Sequence, residues 1–292
     1  MTKPTICFIG TGLMGHPMAS NILAAGFPLQ AWNRTAEKAA SLAPLGATVC
    51  ATAAEAATGA DIVITMLGDG AAVADVLFAQ GVADALQPGA MVADMSSIKP
   101  AEAKAHAAKL AKQDILHLDA PVSGGTKGAA AATLAIMVGG DQQRLDKARA
   151  VFEAMGRPTL VGGDGAGQLS KLANQAIVGV TIGVVAEAML LAKQGGADPD
   201  AIRAALQGGF ADSVILQQHG ERMTTGNFVP GGPSAFQLKD LNNAVEAAQQ
   251  AGLTLPLTGQ MRDRFEDFVL NQDGAELDHA GIYLELKRRN DL

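Results

Sequence analysis

Short apolar runs alternate with alanine-rich amphipathic stretches through the first half of the chain. Thr5–Ile9, Leu29–Trp32, Ile62–Met66, Met91–Asp94, Leu116–Asp119 and Leu134–Val138 have the length and apolarity of strands. Between them, Met14–Ala25, Ala36–Leu42, Ala71–Phe78, Pro100–Lys112 and Gln142–Met155 read as helices. This alternation predicts βαβ units on a mainly parallel sheet with helices on both faces, and Thr159–Val161 predicts one more edge strand.

After Gly167 strand-like runs vanish and helical periodicity takes over. Leu169–Gln194 predicts one long helix stopped by Gly195-Gly196. Asp198-Pro199 opens the next, with an Asp N-cap and Pro at the first helical position. Gly208-Gly209, the Pro230–Pro233 turn and Leu255-Pro256 punctuate later helices. The pattern predicts an α/β domain over residues 1–164. An all-helical domain over 165–292 follows, beginning with a long connecting helix. A helix this apolar must pack on something, and a partner subunit in a homodimer or homotetramer fits.

Composition narrows the function classes. A chain of 292 residues, 48% apolar and 17% charged, can bury two sizeable cores. The net charge of −7 and pI near 5.2 argue against a nucleic-acid binder working through a basic face. Cys7 and Cys50 form no CxxC pair and are expected to be reduced and buried, as in a cytoplasmic protein. His16, His106, His117, His219 and His279 are scattered, so no metal site is expected. No signal peptide is read at the N-terminus. The apolar stretch Ala176–Leu191 is interrupted by Gly179, Gly183 and Glu187, and no membrane span is expected from it.

The first strand runs into Gly10-Thr11-Gly12-Leu13-Met14-Gly15, a G-x-G-x-x-G turn opening a helix. Gly10 allows the tight turn, Gly12 lets the backbone approach a pyrophosphate, and Gly15 lets the helix pack on the strand. At the start of an alternating α/β chain this predicts a Rossmann-type doubly wound sheet that binds a dinucleotide. The end of the second strand selects the cofactor. An acidic residue there would bind the ribose 2′-hydroxyl of NAD, but this chain reads Asn33-Arg34-Thr35. Arg34 can meet a 2′-phosphate with paired hydrogen bonds, and Asn33 and Thr35 can add neutral ones, so NADP is expected in preference to NAD. Two further strand ends are expected to touch the cofactor: Met66 and Leu67 on the adenosine side, and Ser96 near the nicotinamide ribose.

Asp119-Ala-Pro-Val-Ser123-Gly124-Gly125 follows another strand. Ser123 offers a hydroxyl, and the two glycines let backbone N–H groups converge on a carboxylate. Asp94 and Asp119 read as turn caps rather than acid/base groups. Lys171, in Gly165-Ala-Gly-Gln-Leu-Ser-Lys171-Leu-Ala-Asn174-Gln175, is a movable proton donor on an apolar, glycine-led helix, with Asn174 one turn further on. Beside a dinucleotide site it points to carbonyl reduction, with hydride from a nicotinamide and a proton from the lysine.

These blocks, with Phe8–Ala19 and Lys239-Asp-Leu241, occur in an order that resembles the β-hydroxyacid dehydrogenase family over essentially the whole chain. That family includes 3-hydroxyisobutyrate dehydrogenases, tartronate semialdehyde reductases and glyoxylate/succinic semialdehyde reductases, and the Lys171 block looks closest to the second group. The resemblance implies an NAD(P)-dependent enzyme interconverting a short aldehyde acid and its hydroxy acid. It implies Lys171 as acid/base, Ser123, Gly124, Gly125 and Asn174 on a carboxylate substrate, and Lys239 on both substrate and cofactor. One departure is that Asn227–Phe236 lacks the arginine some relatives carry just before their Lys-Asp pair. A non-catalytic NADP(H)-binding sensor or scaffold is the alternative class, and the presence of Lys171 favours an enzyme.

Overall fold

The computed structural model describes residues 3–292. Nine strands form one sheet: β1 (Ile6–Ile9), β2 (Leu29–Trp32), β3 (Thr48–Val49), β4 (Ile62–Thr65), β5 (Met91–Asp94), β6 (Leu116–Asp119), β7 (Val122–Ser123), β8 (Leu134–Gly139) and β9 (Gly156–Gly162). Their order is β3-β2-β1-β4-β5-β6-β8-β7, with β9 on the other side of β8. The six strands from β3 to β6 are mutually parallel, and the sequence steps outward in both directions from β1 and β4. This is the doubly wound arrangement, whose ligand crevice opens at the carboxyl ends of the strands where the order reverses. β8 runs antiparallel to β6 and β7 and parallel to β9.

The eight α-helices among the described residues of this α/β part are α1 (Gly15–Ala24), α2 (Ala36–Ala40), α3 (Ala53–Ala57), α4 (Gly70–Ala74), α5 (Val82–Ala85), α6 (Pro100–Ala111), α7 (Gly125–Ala130) and α8 (Gln142–Glu153). Every residue of β1 is buried, because strands covered by helices on both faces have no solvent side. Ile6 and Phe8 join one apolar cluster with Met18, Ile22 and Phe152. Cys7 and Ile9 join the other with Val63, Leu77 and Leu110. Both cysteines are buried free thiols.

The remaining α-helices are α9 (Ala166–Gln194), α10 (Pro199–Leu206), α11 (Val214–Thr225), α12 (Ser234–Gln250), α13 (Pro256–Asn271) and α14 (Ile282–Arg289). The Asp198 carboxylate caps α10 as expected, accepting the Asp200 N–H at 2.9 Å. The chain separates into two compact units, one running to Lys171 and one from Leu172 to Leu292. The first unit thus takes in the opening of α9, whereas the sequence reading assigns everything after 164 to the second domain. The reason is the Asp119 carboxylate, which holds the Gly165 and Gln168 N–H groups at 2.8 Å each. The second unit's core is Ile182, Met189, Leu241, Phe265, Phe268 and Ile282 with their neighbours.

Several short elements depart from expectation. β3, α3, α5, β7 and α7 have two to six residues, too few to show a period. β9 is longer than Thr159–Val161, since it follows β8 along its whole length. The long helix starts at Ala166 rather than Leu169, and its 29 residues are long and apolar enough to cross a membrane by length and composition. The glycines and Glu187 expected to interrupt it lie within a continuous helix. Half of its most apolar window is buried inside the protein.

Candidate active site

The turn after β1 is built by its three glycines. Gly10 has φ +98°, and a Cβ there would strike the Met66 carbonyl, so the β1 and β4 ends approach at backbone distance. A Cβ on Gly15 would overlap the Gly10 carbonyl, which sets the helix tightly against the strand. A Cβ on Gly12 would meet no protein atom. Beside it, the buried Thr11 hydroxyl has no hydrogen-bond partner. An open glycine and an orphaned hydroxyl at a helix start fit a pyrophosphate, which uses such donors.

Asn33 braces this turn. Its Oδ1 accepts the Thr11 N–H at 3.0 Å and its Nδ2 donates to the Thr35 carbonyl at 2.9 Å. The amide expected to meet a phosphate is thus largely engaged in joining the β2 end to the glycine turn. Arg34 and Thr35 are exposed, and Arg34 makes no ion pair among the described residues. Leu13 is 65% exposed, while Met14 is half-buried against the core.

The next strand ends are tied together by buried polar groups. Thr65 Oγ1 donates to Asp94 Oδ1 at 2.8 Å, and the Ser96 N–H donates to the same oxygen at 3.0 Å. Ser96 Oγ accepts the Leu67 N–H at 2.9 Å. Met66 and Leu67 are half-buried. Burial pushes the Asp94 carboxyl up to about 6, against the hydrogen bonds from Ser96 and Thr65. Burial also raises Asp119, opposed by the N–H groups of Gly165 and Gln168. Asp119 is a cap, as expected, but its partners lie 46 and 49 residues away.

Ser123 ends β7, half-buried, and Gly124 and Gly125 follow it, exposed, with φ +138° and +61°. Only glycine adopts such angles cheaply in succession, and they leave backbone N–H groups at the surface. Lys171 is half-buried on α9, one turn beyond Gln168. The first unit therefore gathers residues 10–15, Asn33, Met66, Leu67, Ser96 and the start of the Lys171 helix along the carboxyl ends of β1, β2, β4, β5 and β6.

In the second unit Asn174 is half-buried and its Nδ2 donates to Gln175 Oε1 at 2.9 Å. Gln175 Nε2 donates to Asp240 Oδ2 at 2.7 Å, and Lys239 Nζ lies 3.3 Å from Asp240 Oδ1. Gln237 Nε2 donates to the Gln175 carbonyl at 3.2 Å. Asn174 and Lys239 are thus linked through Gln175 and Asp240, which stand in the same sequence blocks but were assigned no site role there. The signal for them was polar side chains on the buried faces of α9 and α12.

A family profile described as the NAD binding domain of 6-phosphogluconate dehydrogenase matches residues 5–163. One described as the NAD-binding of NADP-dependent 3-hydroxyisobutyrate dehydrogenase matches residues 165–286. The chain is 43% identical over 282 residues to the 2-hydroxy-3-oxopropionate reductase of Escherichia coli (strain K12), with 96% of each chain covered. It is 38% identical to the NAD-dependent L-serine dehydrogenase of Pseudomonas aeruginosa, covering 95% of this chain and 96% of that one. The solved structure of Mycobacterium tuberculosis 3-hydroxyisobutyrate dehydrogenase with L-serine is similar at 34% identity and a TM-score of 0.88, covering 98% of this chain and all of the other.

Proposed function

Because the chain belongs to the β-hydroxyacid dehydrogenase family, we propose that this oxidoreductase interconverts a short aldehyde acid and its hydroxy acid, with NADP(H) preferred over NAD(H) and Lys171 as acid/base. The observation that carries the reading is the seat of Lys171. It lies one turn past a helix start clamped by Asp119, at the strand ends that also form the pyrophosphate turn. Gly12, Gly15 and the Thr11 hydroxyl suit the cofactor's phosphates.

The cofactor, when bound, supplies or accepts the hydride. The protein's residues do the rest. Lys171 gives its proton to the oxygen of the carbonyl as it gains charge, and takes it back in the oxidative direction. Ser123 and the N–H groups around Gly124 and Gly125 hold the substrate carboxylate. Asn174 and Lys239 are the second unit's proposed ligand contacts. The 2-hydroxy-3-oxopropionate reductase relative favours a two- to four-carbon aldehyde acid as substrate. Lys171→Ala should lower turnover about 100- to 10,000-fold while NADPH binding, followed by fluorescence, stays near normal. Turnover close to wild type would refute the assignment.

Exposed Arg34 and the lack of an acidic residue beside it support NADP(H). The serine dehydrogenase relative is NAD-dependent and one matching profile is described as NADP-dependent, and residues 33–35 are the proposed selectors between the two cofactors. Arg34→Ala should cost NADPH about 10- to 100-fold in kcat/KM and leave NADH nearly unchanged, the size of a lost charge-assisted hydrogen bond. Equal losses for both cofactors would remove Arg34 as selector.

Ile177, Val184 and Leu191 are 67%, 58% and 75% exposed and lie seven residues apart on α9. That spacing makes an apolar stripe suited to a second copy in a homodimer or homotetramer, not to lipid. Ile177→Glu with Val184→Glu should reduce the sedimenting mass to that of one chain. The buried thiols suit a reducing cytoplasm.

A further inference from the structure

Gln168 precedes Lys171 by one turn of α9, yet its side chain is wholly buried. A buried amide is costly unless its donor and acceptor are both used. Here both are. Oε1 accepts the Ile98 N–H at 3.0 Å and Nε2 donates to the Ser96 carbonyl at 2.8 Å. These two bonds grip the loop after β5 on either side of Ser97. The same loop is tied to the β4 end through the Ser96 hydroxyl and the Leu67 N–H. Asp119 holds the helix start from the β6 side. A Cβ on Gly167 would overlap the carbonyls of Asp119 and Met137, so no slack remains beneath this turn.

We propose that Gln168 is a positioning residue that acts through Lys171. Its carboxamide locks the helical turn bearing the lysine to the 96–98 loop, and so fixes where the amine stands among the strand ends. The proposal rests on Lys171 being the proton donor. The geometry demands an amide at this position. Gln168→Met keeps the length and loses both bonds, and Gln168→Glu would set a carboxylate oxygen against the Ser96 carbonyl. Asp119 also caps the helix, so replacing it would confound position with folding; Gln168 separates the two.

The test is a cycle of Gln168→Met, Lys171→Ala and the double variant. It compares kcat, KM for NADPH, melting temperature and amide hydrogen exchange over residues 165–171. Gln168→Met should lower kcat about 10- to 100-fold, the effect of a catalytic group displaced by roughly an ångström. KM for NADPH should stay within about threefold, and exchange over 165–171 should quicken while the rest of the chain is unchanged. In the Lys171→Ala background the Gln168 change should have no further effect, because the group it positions is gone. An undiminished kcat in Gln168→Met beside an impaired Lys171→Ala overturns this proposal alone. So does the same fold loss in both backgrounds, which marks a general structural role. Full activity in Lys171→Ala overturns the proton-donor reading and this one with it. If Gln168→Met does not fold, Gln168→Glu serves. Its kcat relative to wild type should recover as pH falls and the carboxyl regains a proton to donate, and a flat ratio overturns the proposal.

Discussion

In the first unit the buried carboxylates Asp94 and Asp119 are met by hydroxyl and backbone N–H groups, whereas in the second Asp278 and Glu285 face histidine and arginine. Asp278 lies 3.4 Å from His219 Nδ1 and 3.5 Å from Arg222 Nη1, and accepts the Gly231 N–H at 2.8 Å and the Ala280 N–H at 3.1 Å. Glu285 receives Arg264 Nη2 and Arg289 Nη2 at 2.6 Å each. Burial opposes its charge, but the His219 ring and the Ala280 and Gly231 N–H groups hold Asp278 well below the usual carboxylate range. Asp94 and Asp119 move the other way. The second unit neutralises its buried acids and uses them as clamps. The first meets its buried acids with neutral donors, and the positive charges proposed to act at the sheet's carboxyl edge are Arg34, on the cofactor, and Lys171, on the substrate.

The contrast breaks most visibly at Arg264. Arg264→Leu leaves Glu285 buried beside Arg289 alone and should cost about 3–5 kcal/mol in a denaturant titration, as breaking a buried pair does. A loss below about 1 kcal/mol would mean that Arg289 suffices.

Asp278→Asn ranks next. Its carboxyl is depressed in the folded state, so its stabilisation is present above the unfolded pKa of about 4 and lost as pH falls through the folded value. The variant should therefore lose about 2 kcal/mol at pH 7, the order of one charged hydrogen bond, and the loss should shrink only as pH falls below the unfolded value toward the much lower folded one. A loss independent of pH would show that shape, not charge, matters at Asp278.

The smallest effect sharpens the first unit. Burial, with smaller contributions from His106 and Arg144, lowers His117 to about 3, and neither ring nitrogen has a hydrogen-bond partner. Stability from His117 is full above its ordinary value of 6.5 and falls as pH drops toward 3. Asp94 runs oppositely. Raised from 3.8 to about 6, it contributes stability that is full below 3.8 and falls as pH rises through 6. Between pH 4 and 6 the two offset each other. Relative to wild type, Asp94→Asn should tilt the curve toward greater stability with rising pH, and His117→Phe the other way. Each tilt should be about 1.4 kcal/mol per pH unit, one proton's worth. Parallel curves would refute both titrations.

What could be read from the sequence divides along the same line. β1, the glycine turn and the long central strands follow from local patterns, because each glycine and each apolar run meets its requirement within a few residues. Asp119, Gln168 and Gln175 were less legible, since their partners lie 46 to 72 residues away and only folding brings them together. Arg264 and Glu285 are 21 residues apart on different helices and look like surface charges in a linear reading. Asn33 was read as a ligand for phosphate, yet its amide is mainly a brace for the turn that would hold one.

One margin of the sheet bears on how the molecule behaves in a crowded solution. β9 pairs only with β8, so its outer side is a seven-residue template on which a foreign strand could add. Pro158, in the middle of that strand, has no N–H to offer, and the neighbouring Arg157 would carry its charge into any new pairing. At the opposite margin β3 presents two residues, too short to template anything. Aggregation through either border is thereby discouraged, and replacing Pro158 and Arg157 with valines would turn the longer one into a nucleus for intermolecular sheets.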